Sequence, residues 1–172
     1  MEDRPFSGNP ARLLALADDR RERIRRAAVA ALSNVSHPDV RSRAEALLQS
    51  NDRFTDGASM LAGNYEPGDF GVLQDLLSRP ITEREYHDLG FSVGNILERH
   101  PTTDAEGSLL LLYENNPCSN CRRACVRFLI DMKKIPEWMR IECRYDANAD
   151  MIEAVQQLES ISQTAVKPPP HV

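Results

Sequence analysis

The sequence predicts an all-α protein, built as an α-solenoid of about five stacked antiparallel helix pairs. Aromatic residues make up only 6% of the 172 residues, while Ala, Leu and Arg are frequent, a composition that favours helices over sheets. Turn-like prolines also recur, with spacings of 28, 29, 34 and 35 residues. These prolines are Pro10, Pro38, Pro67, Pro101 and Pro136.

Each proline is followed by a segment whose apolar residues have helical spacing. This order indicates a helix start, since proline is favoured at the first position of a helix. A second set of breaks falls inside each interval and divides it into two short helices. These breaks are Asp18-Asp19, Asn51-Asp52, Arg79-Pro80, Asn116-Pro117 and Asp146-Ala147-Asn148. The chain therefore divides into about ten helices in five pairs.

Apolar side chains lie on one face of most of these segments. In the second segment they follow steps of three and one, at Ile24, Ala27, Ala28, Ala31, Leu32 and Val35. Similar stripes follow at Val40, Ala44, Leu47 and Leu48, then at Tyr86, Leu89, Val93, Ile96 and Leu97, and then at Cys121, Cys125, Phe128, Leu129 and Met132. Trp138, Ile141 and Tyr145 predict a further packed stripe. Helices this short are marginal in isolation, so neighbouring pairs must cover each other's apolar faces.

Residues 10–50 contain two segments joined by an aspartate turn. Leu13-Leu14 precedes a turn at Asp18-Asp19, and a second segment then opens with aliphatic and basic residues around Ile24 and continues to Ala31-Leu32. In this order the segment resembles a HEAT repeat. HEAT repeats have this order of a leucine-bearing helix, an aspartate turn and a second helix rich in Ala and Leu. The resemblance is strong over 10–50, weak over 51–100, where glycines interrupt the pattern, and returns as helix pairs over 101–161.

A similar pattern follows at His37-Pro38-Asp39-Val40-Arg41, with Ala44 and Leu47 after it. Its Val-Arg pair could open either helix of a repeat. The phase of the repeat near residue 38 therefore stays open. We expect an N-terminal extension at 1–9, a HEAT-like domain at 10–161 and a disordered proline-rich tail at 162–172. That tail contains Lys167-Pro168-Pro169-Pro170.

The resemblance implies that the second helix of each pair lines a concave binding face. The polar residues that this places at a ligand are Arg23, Arg26, Asp88, Asn95, Arg123 and Arg127. On this basis we expect a non-catalytic protein-binding scaffold, adaptor or inhibitor. The alternatives are a HEAT-like nucleic-acid-binding or DNA-repair protein and, with less support, an enzyme of the bilin-lyase type.

The charge of the chain favours a protein partner over nucleic acid. The formal net charge is −5, and residues 51–100 alone carry four Arg against nine acids. Nucleic-acid binders usually carry a cationic excess, which here is limited to the arginines of residues 20–26. We therefore expect a partner with a basic surface. The first residues carry no secretory-signal pattern and no apolar run approaches a membrane span, so we expect a cytoplasmic protein without a membrane partner.

The four cysteines are the sharpest local signal. Cys118 and Cys121 form a C-x2-C pair at the start of a predicted helix, a spacing that zinc accepts, and Cys143 could join them. His100 at the preceding turn is the nearest upstream histidine for a fourth position. A disulfide between Cys118 and Cys143, or plain packing of the thiols, explains the same pattern. The spacing alone is weak, so we assign no metal and no cofactor.

Catalytic signatures are absent from the sequence. Asp146, Asp150 and Glu153 cluster near a helix start, where acids also favour the helix dipole. Neither a nucleophile elbow nor a phosphate-binding glycine loop occurs. We name no catalytic residue and expect the protein not to be an enzyme.

Overall fold

A computed structural model describes residues 9–165, with side chains described for 9–160, and the fold of this part of the chain is all-α, as predicted. Its ten helices are α1 Ala11–Leu16, α2 Glu22–Leu32, α3 Pro38–Leu48, α4 Phe54–Met60, α5 Asp69–Leu77, α6 Glu83–Arg99, α7 Glu106–Asn115, α8 Ser119–Asp131, α9 Glu137–Cys143 and α10 Ala149–Ala165. Short 3₁₀ turns occupy Leu61–Gly63 and Thr103–Ala105.

Local sequence signals set the helix starts. Pro38 is the first residue of α3, where its missing N–H needs no partner, and the His37 side chain accepts a hydrogen bond from the Asp39 N–H. At α6, Thr82 and Glu85 form a reciprocal capping box, with N···O distances of 2.7 and 3.3 Å. These caps provide acceptors for the first backbone N–H groups, which have no acceptor within the helix.

The even-numbered helices contact one another in succession. α2 contacts α4, α4 contacts α6, α6 contacts α8, and α8 contacts α10. Each of α1, α3 and α7 also packs on the helix that follows it, while α5 packs chiefly against α7. Residues far apart in the sequence are thereby brought to a shared surface on the even-numbered helices.

One continuous apolar core holds the helices together. The predicted stripe of α3 is buried in full, and the stripe of α6 is buried except for Tyr86, which is half-buried. In α2, Ala28 and Leu32 of the predicted stripe are buried, as is Val35 beyond the end of the helix. Ala27 is exposed, and Val29, outside the predicted stripe, is buried instead. Burying each such Leu or Val side chain stabilises the fold by about 1.5–3 kcal/mol, which offsets the weak stability of the single helices.

Gly57 lies where α4 closely approaches α3. Gly57 of α4 faces the backbone of α3, and a Cβ built there would lie 2.7 Å from the Ala44 carbonyl oxygen and 2.9 Å from the Leu48 nitrogen. The two helices are therefore closer than any side chain at this position would allow.

The stripe predicted for Trp138, Ile141 and Tyr145 is not packed, and that prediction was wrong. These side chains are 44%, 47% and 84% exposed. The buried face of α9 is the opposite one, formed by Met139 and Cys143. Both faces of this helix carry apolar residues, and their spacing does not tell which face meets the core.

Residues 1–8 and 166–172 lie outside the described residues. Of the tail predicted at 162–172, residues 162–165 belong to α10, which ends at Ala165. Among the residues searched, none of the helices combines the length and the apolar character needed to cross a bilayer.

Candidate functional site

The six residues predicted to bind a partner lie on three of the even-numbered helices. α2 carries Arg23 and Arg26, α6 carries Asp88 and Asn95, and α8 carries Arg123 and Arg127. Four of them line two adjoining grooves on this side of the molecule: Arg26, Asp88, Asn95 and Arg127. The other two lie outside the groove linings.

The first groove runs between α2, α4 and α6 and is mostly polar. Arg26 and Asp88 form one wall, with 3.8 Å between the guanidinium and the carboxylate. Ser59 and Thr55 of α4 form the floor, and the Ser59 hydroxyl lies 3.1 Å from that of Ser92. This groove offers hydrogen-bonding groups that are already engaged with one another.

The second groove lies between α6 and α8 and is more apolar. Gly90 and Gly94 of α6 lie in its lining, opposite Ala124 and Phe128 of α8. A Cβ on Gly94 would meet only the Phe128 ring, at 3.9 Å, so the missing side chain leaves space rather than relieving a clash. The groove encloses about 360 Å³, at the low end of ligand pockets, and suits one or two inserted side chains.

Phe91 stands at the boundary of the two grooves and lines both of them, as does Asn95. Its side chain is 61% exposed, and the edge of its ring contacts the His87 ring with 5.2 Å between centroids. The Phe91 ring thus presents an exposed apolar surface where the two grooves meet.

The arginines of this surface are largely compensated by acids of neighbouring helices. Arg127 lies 3.2 Å from Glu98, and Arg123 lies 2.8 Å from Asp150. Arg26 lies within 4 Å of both Glu22 and Asp88. In the described part of the chain Arg23 alone among the four predicted arginines has no salt bridge. The surface is thus electrically mixed rather than cationic.

At one end of the second groove lies a cluster of His87, Cys118 and Cys121. The Cys121 sulfur lies 3.3 Å from His87 Nδ1, and the ligand atoms of all three residues lie within 4.8 Å of one another. His87 comes from α6, whereas the cysteines belong to the first turn of α8, with Cys118 at its N-cap. The fold therefore completes the C-x2-C pair with a histidine that the spacing did not indicate.

The two thiols of the cluster differ in their environments. The backbone N–H of Cys121 hydrogen-bonds to the Cys118 sulfur and lowers the pKa of that thiol, and this outweighs its partial burial. Burial raises the pKa of Cys121 to about 11. Cys118, half-buried at the helix start, is thus the more acidic and more accessible thiol of the pair.

The remaining candidate ligands lie elsewhere. His100 does not approach the cysteines, because its Nε2 lies 3.2 Å from the Ala62 carbonyl oxygen and its ring stacks on Tyr65. The sulfur of Cys143 lies 3.6 Å from the Tyr113 hydroxyl. Both Cys118 and Cys143 are free thiols, so the disulfide considered between them is not present.

Cys125 packs as a small apolar residue, as its place in the predicted stripe indicated. It is buried in the core beneath the cluster, and burial raises the pKa of its thiol to about 12. Cys121 occupies the same stripe but also lines the second groove, where its sulfur lies beside His87.

The acids near residue 150 are engaged in structural contacts. Asp146 accepts hydrogen bonds from Arg122 at 3.0 Å and from the Asn148 N–H at 2.8 Å, and Asp150 pairs with Arg123. These contacts favour the helix-start interpretation of this cluster over an acid–base role.

Sequence reasoning missed the face of α6 that builds the site. His87, Gly90, Phe91 and Gly94 occur at steps of three, one and three, which is the spacing of a single helical face. This face adjoins the apolar stripe that was recognised on the same helix. The sequence therefore contains the signal, in which the two glycines belong to the pattern and do not interrupt it.

Comparison of the chain with family models, with curated proteins and with solved structures found no match.

Proposed function

We propose that the chain is a non-catalytic protein-binding module, a short HEAT-like solenoid that receives a partner in the two grooves along its even-numbered helices. The successive contacts from α2 to α10 support this arrangement, since each second helix of a solenoid packs on the second helix of the next repeat. In such arrays the row of second helices is the binding face.

The exposed ring of Phe91 carries the proposal. A phenylalanine that is 61% exposed contributes little to the core, yet it stands where both grooves meet. Aromatic anchors at the centre of an interface, surrounded by polar residues that exclude water, provide most of the binding energy in many complexes. Phe91 and its surroundings match this arrangement.

The partner we propose presents an apolar side chain to the second groove and basic side chains around it. That groove encloses about 360 Å³, enough for one or two side chains. Helix α6, which separates the grooves, carries four acids against two arginines, so its own charge is negative. The net charge of −5 favours approach of a basic surface.

Ion pairing of the arginines on this surface argues against the nucleic-acid alternative. A phosphate backbone would have to compete with Glu98 for Arg127 and with Asp150 for Arg123. Because affinity for nucleic acid comes mainly from unpaired cations that release counterions, a surface of internal ion pairs has little to offer.

The experiment is affinity capture from the source cells with the native chain, the Phe91→Ala variant and the Ile141→Ala variant. Ile141 is the matched control, because it is an exposed apolar side chain on α9, outside both grooves. Any protein captured by the native chain is then purified and titrated against the three proteins. We expect the Kd to rise at least about tenfold for Phe91→Ala, an effect of 1.4 kcal/mol or more, and to stay unchanged for Ile141→Ala.

Two results would overturn the proposal. One is the failure of the native chain to retain any protein that binds it directly after purification. The other is a partner that binds the Phe91→Ala variant as tightly as the native chain, which would place the interface elsewhere.

A further inference from the structure

We propose that His87, Cys118 and Cys121 form a three-residue binding site for Zn²⁺, whose fourth coordination position opens into the second groove. The proposal concerns a site that the protein-binding function does not need. It rests on the geometry of the cluster, on the residues that hold it in place, and on the chemistry of its donor atoms.

The spacing of the donor atoms suits a tetrahedral ion. With Zn–S bonds of about 2.3 Å and Zn–N bonds of about 2.0 Å, tetrahedral angles place sulfur and nitrogen ligands roughly 3.5 Å apart and two sulfurs roughly 3.8 Å apart. The Cys121 sulfur lies 3.3 Å from His87 Nδ1, and every pair of donor atoms lies within 4.8 Å. Small side-chain rotations are enough to bring the three donors onto one ion.

The three ligands are carried by two helices, α6 and α8, whose backbones fix their positions. Cys118 at the N-cap and Cys121 three residues later lie on the same side of the first turn of α8. Gly90 lies opposite them, and a Cβ there would be in ordinary contact with the Cys121 sulfur at 3.6 Å but only 3.2 Å from Asn116 Nδ2. A side chain at position 90 would therefore press on the Asn116 amide.

Asn116 fixes the loop from which the cysteines emerge. This buried side chain donates to the Tyr86 carbonyl oxygen at 3.1 Å and accepts from the Cys118 N–H at 3.0 Å. These two bonds tie the Cys118 loop to the helix that carries His87, so a residue outside the three ligands holds them in place.

The donor set selects the ion. Two thiolates and one imidazole are soft or intermediate donors that suit Zn²⁺ and exclude Mg²⁺ and Ca²⁺, which require oxygen ligands. Binding releases one proton from each thiol to solvent, so that the dication and the two thiolates form a neutral unit without any redox change. Because the three residues border the groove, a water molecule completes the coordination.

Cobalt is the probe for this site, since Co²⁺ takes the same ligands and is coloured. The full chain is reduced, freed of metal and titrated with Co²⁺ under anaerobic conditions with a thiol-free reductant. We expect one equivalent to produce sulfur-to-cobalt charge-transfer bands and the visible absorption of a tetrahedral ion, and one equivalent of Zn²⁺ to remove both. Zinc should also protect Cys118 from alkylation.

Variants distinguish this site from nonspecific binding of Co²⁺ to cysteine thiols. Cys118→Ser, Cys121→Ser and His87→Ala should each weaken Co²⁺ binding by more than about tenfold. Cys143→Ser and His100→Ala are the matched controls, because they remove the same donor types from positions outside the cluster. Circular dichroism of each apo variant confirms that the helices are retained, so a lost band reports on the ligands.

Three outcomes would overturn the site. The reduced native chain could give no charge-transfer band, the band could survive in the His87→Ala and Cys118→Ser variants, or the Cys143→Ser control could lose it equally. None of these measurements uses a protein partner. A failure here therefore leaves the proposed binding function untouched, and a failure to find a partner leaves the metal site standing.

Discussion

Arg41 and Asp69, 28 residues apart in the sequence, form a two-pronged ion pair with N···O distances of 2.6 and 2.8 Å that joins α3 to the first residue of α5. Asp69 is buried, and its carboxylate also accepts a hydrogen bond from the Glu66 N–H at 2.8 Å. The hydrogen bonds to Asp69 raise the pKa of the Arg41 guanidinium, so the cation is fixed at any ordinary pH. The ion pair thus connects two helices that are separated in the sequence by α4.

Replacing Arg41 with Met is expected to lower the free energy of unfolding by about 3 kcal/mol, because it leaves the buried Asp69 carboxylate without its counter-ion. Urea unfolding followed by circular dichroism measures this loss. Arg43→Met on the same helix is the matched control, since its partner Asp18 is half-exposed and the expected loss is below about 1 kcal/mol. Equal losses in the two variants would show that Asp69 does not need Arg41.

Gly57→Ala is expected to destabilise the fold by about 1–3 kcal/mol, since the new methyl group would overlap the Ala44 and Leu48 backbone of α3. Gly71→Ala in α5 is the opposite case, because nothing lies within 4 Å of its Cβ position. There the same change is expected to stabilise the helix by roughly 0.5–1 kcal/mol. Thermal or urea unfolding of both variants tests the opposed signs, and a gain in stability at Gly57 would contradict the close packing of α3 and α4.

Asp18 is expected to make stability depend on acidity. Burial raises the pKa of its carboxyl, but hydrogen bonds and charge interactions with Arg53 and Arg43 outweigh burial and lower it below 3.8. A carboxylate with a lowered pKa stabilises the folded state above its unfolded pKa, and this contribution is lost as pH falls through the folded pKa.

The Asp18→Asn variant should therefore be less stable than the native chain at pH 7, by about 1 kcal/mol or less because the group is half-exposed. The difference should shrink as pH falls through the range below 4. Urea midpoints of both proteins across a pH series measure this difference in stability. A difference that stays constant down to pH 2 would show that the charge of the Asp18 carboxylate does not cause it.

Gly94→Met is expected to fill the second groove without touching the core. The Cβ position meets only the Phe128 ring at 3.9 Å, and replacing a glycine inside α6 favours the helix by roughly 0.5–1 kcal/mol. The stability of the variant should thus equal or exceed that of the native chain. Its affinity for the partner captured by the native chain should fall at least about tenfold. Unchanged affinity would confine the interface to the first groove.

The helices and most of their buried faces follow from short-range signals in the sequence. Pro38 and the Thr82–Glu85 pair mark helix starts within a few residues, and the stripe ending at Leu97 identifies the buried side of α6. Such signals act within one or two turns of a helix. They need no knowledge of the neighbours, and this is why they can be read from the chain alone.

The candidate site could be predicted only in part, because it depends on which faces meet. His87 and Cys121 are separated by 34 residues, and no local pattern specifies that α6 and α8 adjoin at this height. His100 was closer in sequence to the cysteines, yet its helix end points it to Ala62 instead. Likewise, the spacing of Trp138 and Ile141 described a face of α9 but not its direction.

The exposed position of Trp138 also determines what spectroscopy can detect. It is the sole tryptophan of the chain, and its ring meets Tyr113 edge-on, with 5.9 Å between centroids. Its fluorescence therefore reports on the contact between α7 and α9 and is insensitive to the far end at α1. A fluorescence melting curve that precedes the circular dichroism curve would reveal that the α9 end unfolds before the rest.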